Sequence, residues 1–171
     1  MRIVYMLIIV LLMPIYASNQ ERDLQAVFLG RFAKFIEWPQ NNRDVFIITL
    51  IDENPFDNLL DNLYSKKRIH GKKIKIKYVT KIEDIGESDI LFITLDNYKK
   101  VNRVIEYAQE NSILTISEKR GFAQRGGIIQ LGFVAQKPYL VINYDSSVES
   151  NIKISSTLLA IAQNIIKGEK Q

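Results

Sequence analysis

Apolar positions follow two rhythms along this chain, and the rhythms alternate. Leu24, Phe28, Phe32 and Phe35 recur at spacings of 4, 4 and 3, with Val27 and Ile36 widening the stripe. Glu21, Arg22, Asp23, Arg31 and Lys34 take the other faces. This period predicts an amphipathic helix over residues 21–37, with Phe28, Phe32 and Phe35 each buried against a sheet. It should end before Trp38-Pro39, because a residue preceding proline is biased out of the helical region. Ser18 and Glu21 have the spacing of a capping box.

Val45–Ile51 is then a continuous β-branched and apolar run, suited to a strand buried on both faces. Asp52–Pro55 reads as a turn, and Phe56, Leu59, Leu60 and Leu63 mark a short helix. Lys73–Val79 alternates strictly and predicts a half-buried strand with a lysine face. Asp89–Leu95 is a second buried strand, Val101, Val104, Ile105 and Ala108 define a helix facing it, and Ile113–Ile116 is a short strand. Two more strands, 126–131 and 139–143, are separated by a loop that includes Lys137-Pro138. Leu158, Leu159, Ala162, Ile165 and Ile166 suggest a closing helix over 155–167, ended by Gly168.

Strands alternate with helices from residue 45 to 116 and then follow one another. That order predicts an α/β fold, a single three-layer domain with a mostly parallel sheet, an antiparallel end and helices on both faces. The length of 171 residues and the absence of repeats or low-complexity tracts leave no room for a second domain.

The first residues have another logic. Met1-Arg2 is a short positive region, Ile3–Met13 is eleven apolar residues, and Pro14 follows. Eleven helical residues span about 16 Å against a hydrocarbon core of about 30 Å, too short to cross comfortably but right for a secretory signal. Residues 1–17 are therefore expected to be a signal peptide cleaved near Ala17, although Ile15 stands where a small residue is usual. Residues 18–171 would form an exported domain with no transmembrane segment.

Composition removes much chemistry. There is no cysteine and one histidine, His70, so thiol nucleophiles, disulfides, Fe–S clusters and zinc sites of paired His or Cys are excluded within one chain. A Ser-His-acid triad would need His70, which lies in a basic turn, and no G-x-S-x-G elbow exists. Neither a G-x-x-x-x-G-K-[ST] nor a G-x-G-x-x-G cradle is present. Asp52, Glu53, Asp57 and Asp61 cluster, but Pro55 and Phe56 break calcium-loop spacing. No metal, cofactor or catalytic residue is expected.

The net charge is +4, and residues 66–77 hold seven of the Lys and Arg residues. Nucleic acid is disfavoured by the export signal, and a lysine face also guards a strand against unwanted pairing. An anionic membrane surface or an acidic partner remains open. The most unusual block is Gly121–Ile129, whose Gly126-Gly127 pair suggests positive φ or close backbone approach. Phe122, Arg125, Gly126 and Gly127 are the candidate surface for a partner or ligand. The competing reading is a tight turn that packs Phe122 into the core.

Four passages in order resemble the YfiR/HmsC-like family of periplasmic proteins: 28–39 ending FAKFIEWP, 88–94 SDILFIT, 113–129 ILTISEKRGFAQRGGII and 141–162 VINYDSSVESNIKISSTLLAIA. The resemblance implies a periplasmic α/β domain that acts by binding, not catalysis. Studied relatives restrain an inner-membrane diguanylate cyclase through its periplasmic part, lowering cyclic di-GMP and biofilm output. A small-molecule sensor or carrier without a cyclase partner is the alternative, and homodimerisation stays open. Some relatives carry a cysteine where Ser88 stands here, so redox control does not carry over.

Overall fold

The computed structural model describes residues 20–168. The expected signal segment and its cleavage point lie outside these residues. The chain opens with helix α1, residues 20–32, followed by a 3-10 turn, Ala33–Phe35, and the two-residue strand β1, Ile36–Glu37. Then come β2 (Val45–Ile51), α2 (Leu59–Tyr64), β3 (Arg68–Ile69), β4 (Lys72–Val79) and β5 (Ile90–Ile93). Helix α3 (Tyr98–Glu110), β6 (Leu114–Ser117), β7 (Ile129–Val134) and β8 (Lys137–Asn143) follow. The last elements are α4 (Tyr144–Glu149), β9 (Lys153–Ile154), α5 (Ser156–Ala160) and β10 (Asn164–Ile166).

Eight strands form one sheet in the order β10-β8-β7-β6-β5-β2-β4-β3. The five central strands, β4-β2-β5-β6-β7, are all parallel. β8 runs antiparallel to β7, and β3 antiparallel to β4. The expected α/β architecture is therefore present, with an antiparallel pair on each side of the parallel core. Period-2 alternation sends Ile48, Leu50, Ile90 and Phe92 to one face and Ile51, Leu91 and Ile93 to the other. Both faces need a cover, which is why these strands read as unbroken apolar runs. The first face packs against α1, α2 and Leu158 of α5, and the second against Val101, Val104, Ile105 and Ala108 of α3.

Three expectations change. The opening helix is shorter than 21–37. Ile36 leaves it to pair with Ile154 in a small antiparallel ribbon, and the Phe35 carbonyl accepts the Ser155 N–H. The buried face of α1 and the 3-10 turn after it is centred on Ala26, Leu29, Phe32 and Ala33; Phe32 is 3% exposed, but Phe28 and Phe35 are only half-buried. Small residues set that face, because close approach of a helix to a sheet leaves the bulky stripe partly at its margin.

The closing helix is also different. α5 stops at Ala160, and residues 164–166 form a parallel strand on β8. Gln163 explains the change, since its N–H donates to the Leu140 carbonyl and its side-chain oxygen accepts the Leu140 N–H. A continued helix would leave the outer edge of β8 bare, and Ile165-Ile166 suits a strand equally well.

The third change is the link between β7 and β8. Val134 pairs with Lys137, so only Ala135 and Gln136 turn the chain, with φ of 48° and 63°. Two positive φ values are those of a type I′ turn, which normally selects Asn-Gly. Replacing Ala135-Gln136 by Asn-Gly should therefore raise stability by about 1 kcal/mol. The check is the urea midpoint at unchanged m-value; no rise would mean the pair is not strained.

Candidate functional site

In the parallel core the chain leaves β2 for β4 on one side and returns to β5 on the other. Such a reversal opens a crevice at the carboxyl ends of the strands, where ligands of open α/β sheets characteristically lie. The ends are tied together here by two hydroxyls. Thr94 Oγ1 accepts the Glu53 N–H at 2.8 Å and donates to the Ile51 carbonyl at 2.9 Å. Ser117 Oγ donates to the Ile93 carbonyl at 2.6 Å.

The Gly121 block is the connection that leaves this rim, from the end of β6 to the start of β7. Where parallel strands usually need a full helix, a single 3-10 turn, Ala123–Arg125, spans the gap. Buried polar side chains hold it from beneath. Asn143 Nδ2 donates to the Ala123 carbonyl at 2.8 Å, Gln130 Oε1 accepts the Phe122 N–H at 3.0 Å, and Thr115 Oγ1 accepts the Ile128 N–H at 2.9 Å.

The four candidate residues divide into two roles. Phe122 is 1% exposed and packs in the α3 face of the core, so it is not presented to a partner; the close-packed turn is what the structure shows for this side chain. Gly127 makes that packing possible, for a Cβ there would lie 2.1 Å from the Phe122 ring. Gly126 has φ +96° and closes the turn. Arg125 alone of the four carries polar groups to the surface. Its guanidinium lies over the Tyr98 ring, 4.6 Å from the centroid, and its Nη2 donates to the Arg120 carbonyl at 3.2 Å. Gly121 answers to its φ of +77°, a conformation that side chains rarely adopt.

Three residues outside the candidate set join Arg125. Tyr98, the first residue of α3, is 64% exposed, and Lys119 and Arg120 precede the block. Lys119 Nζ pairs with Asp96 at 2.6 Å, and this carboxylate raises the Lys119 pKa, keeping it cationic. Sequence reasoning stopped at the glycines because Lys119 and Arg120 lie before Gly121 and Tyr98 lies on another element. The signal available was the Lys-Arg-Gly run beside a second Arg at 125.

At the opposite end of the sheet a second polar cluster fixes the segment after β1. Asp89 is buried; its Oδ1 pairs with Arg43 Nη2 at 2.5 Å and its Oδ2 accepts the Ile47 N–H at 2.7 Å. Trp38 Nε1 donates to the Asp89 carbonyl at 3.0 Å, so the Trp-Pro and Ser-Asp passages meet here. Burial raises the Asp89 pKa, while the Ile47 N–H, Arg43 and Lys72 oppose the rise. Ser88 beside it is buried, its hydroxyl 2.8 Å from both Thr49 Oγ1 and the Ile90 carbonyl. His70 is exposed in its turn, with Nε2 2.9 Å from the Ala33 carbonyl.

The family described as YfiR/HmsC-like matches residues 22–163. Among solved structures, a conserved domain protein from Vibrio cholerae O1 biovar El Tor superposes with a TM-score of 0.57 at 16% identity, covering 84% of this chain and 60% of that one. An ABC domain from Streptococcus pneumoniae, solved in complex with L-Trp, superposes with a TM-score of 0.50 at 15% identity, covering 71% of this chain and 55% of that one. Identities this low establish a shared fold, and the chain spans about 60% of the first of these proteins. No curated protein matches. Among the described residues no helix is long and apolar enough to cross a membrane.

Proposed function

The chain belongs to the YfiR/HmsC-like family, a periplasmic and regulatory family, and from that premise we propose that it is an exported binding protein which restrains an inner-membrane diguanylate cyclase through the cyclase's periplasmic part. Its output would be lower cyclic di-GMP and less biofilm. The observation that carries this reading is the family match from residue 22 to 163, which spans nearly all of the described fold. Residues 1–17 would direct export.

The contact surface in this proposal is the Gly121 block, with Arg125 as its anchor and Phe122 as the packing beneath it. A rigid turn pinned by Asn143 and Gln130 loses little entropy on binding, and a planar guanidinium offers several donors to a partner's acceptors. The lysines of β4 would steer encounter with an acidic partner. Co-purification from solubilised membranes of the native host tests the proposal, with recovery of a membrane cyclase as the expected result. Arg125→Ala should weaken that capture by about thirtyfold, on the order of 2 kcal/mol, with a nearly unchanged melting temperature. Capture unchanged, or lost only in step with stability, would assign Arg125 to its own turn through the Arg120 carbonyl and Tyr98.

A second reading, a small-molecule sensor or carrier, is favoured by a pocket of about 210 Å3 beside the same block. The Streptococcus pneumoniae chain of similar fold is described with L-Trp bound. Binding of a ligand without capture of any membrane partner would select this reading.

A further inference from the structure

The pocket beside the Gly121 block has a definite chemistry. Its apolar lining is Leu95, Val101 and Phe122, all largely buried, and its cationic lining is Lys119, Arg120 and Arg125. Three cations thus surround a space whose lining includes one carboxylate, Asp96, and that carboxylate is already paired with Lys119. The remaining donors are uncommitted. Among the described residues, the Arg120 side chain has no hydrogen-bond or ion-pair partner within the chain, and Arg125 uses only Nη2. Arg125 Nε is shielded from solvent and has no partner either.

The pocket lies at the carboxyl ends of β5 and β6, one strand along from the β2–β5 reversal. Its walls are held in place without a ligand. Ser117 is bonded to the end of β5, Arg125 is stacked on Tyr98, and the turn is pinned by Asn143 and Gln130. Its 210 Å3 is below the roughly 300–1,000 Å3 typical of pockets for drug-sized ligands, so the occupant is small.

From this geometry we infer that the pocket between the first turn of α3 and the Gly121 block binds a small organic oxyanion, a carboxylate or phosphate monoester on a compact apolar body. The oxyanion takes the guanidinium donors of Arg120 and Arg125 with Lys119 beside them, and the apolar body rests on Leu95, Val101 and Phe122. The inference stands beside the regulatory reading and not on it, because binding is measured on this chain alone. If the proposed partner contact also uses Arg125, an occupied pocket and a bound partner compete for the same guanidinium.

Isothermal titration calorimetry of the purified protein with benzoate, phenyl phosphate, inorganic phosphate and benzyl alcohol tests the inference. Saturable binding of benzoate or phenyl phosphate is expected, and the tighter of the two identifies the head group. Benzyl alcohol should not bind, and inorganic phosphate should bind at least about tenfold more weakly than the better aromatic anion, for want of a body to meet the apolar lining. Arg125→Gln and Arg120→Gln should each weaken the better probe by about tenfold or more, and added salt should weaken it further. Arg120 is exposed and has no internal side-chain partner, so its variant reads binding without loss of fold even if Arg125→Gln is destabilised. Absence of saturable binding by both aromatic anions overturns the inference. So does equal binding of benzyl alcohol or of inorganic phosphate, and so does an affinity unchanged in both variants. Cyclase capture, measured without any probe, reports on the partner reading separately.

Discussion

Phe122→Ala should lower the stability of the protein by about 3–5 kcal/mol in urea denaturation. The ring is 1% exposed and belongs to the cluster of Val101, Val104, Ile105 and Ala108 on α3. Removing it takes the transfer energy of an aromatic side chain and leaves a cavity that Gln130 and Asn143, fixed by hydrogen bonds to the same turn, restrain from collapsing. Gly127→Ala should damage the same place from the other side. Its new methyl would lie 2.1 Å from the Phe122 ring, an overpacking cost of roughly 1–3 kcal/mol. The two changes share one space, so they should not add: Phe122→Leu should restore part of the stability lost in Gly127→Ala. A loss below about 1 kcal/mol for Phe122→Ala would show that the ring is not core and would return it to the contact surface.

Arg43→Met should cost about 3–5 kcal/mol near neutral pH, because it strands the buried Asp89 carboxylate without its counter-ion. Burial raises the Asp89 pKa even with Arg43 present, and loss of Arg43 raises it further. The sign of the pH dependence follows. When the folded pKa lies above the unfolded one, the folded state binds the extra proton in the interval between them, so stability falls as pH rises through that interval. The deficit of Arg43→Met should therefore be largest at neutral pH and above and shrink as the pH falls, as Asp89 takes up a proton in the folded variant. Denaturation midpoints of both proteins from neutral to acid pH check it. An equal deficit at both ends would mean that Arg43 acts by packing its stem, not by its charge. The effect should extend beyond the pair, since Asp89 also anchors Trp38 and the start of β2 through Ile47.

The two clusters sit at opposite ends of the parallel strands and serve different purposes. Asp89, Arg43 and Trp38 close the amino-terminal end, where the segment after β1 returns to β2. Lys119, Arg120, Arg125 and Tyr98 stand at the carboxyl end, where they line a pocket. A substitution in the first cluster is thus expected to read as stability, and one in the second as binding.

Much of the fold was legible because buried parallel strands must be apolar on both faces. Val45–Ile51 and the run after Asp89 could hardly be anything else, and the spacing of Val101, Val104, Ile105 and Ala108 places α3 on one side of them. The Gly126-Gly127 pair was legible as a place of close approach, since glycine at a strand entry answers to a neighbour with no room for a Cβ. What approaches it was not: the neighbour is Phe122 of the same block, a contact made only when the turn closes. The end of the chain escaped for a related reason. Leu158, Leu159, Ala162, Ile165 and Ile166 satisfy a helical period, and only the unpaired edge of β8, a long-range partner, turns the last three residues of that stretch into β10. The stripe of α1 misled because burial is set by how closely the helix meets the sheet, which favours Ala26 and Ala33 over Phe28 and Phe35. Arg125 of the cationic pocket was legible in the sequence, but its meeting with Tyr98 belongs to tertiary structure. Tyr98 and Arg125 lie on different elements and meet because both α3 and the β6–β7 turn begin at the same rim of the sheet. Local periodicity thus determined the central strands and α3, whose pattern depends on neighbours a few residues away, and three-dimensional packing decided β1, β9, β10 and the contacts, which depend on residues far apart in the chain.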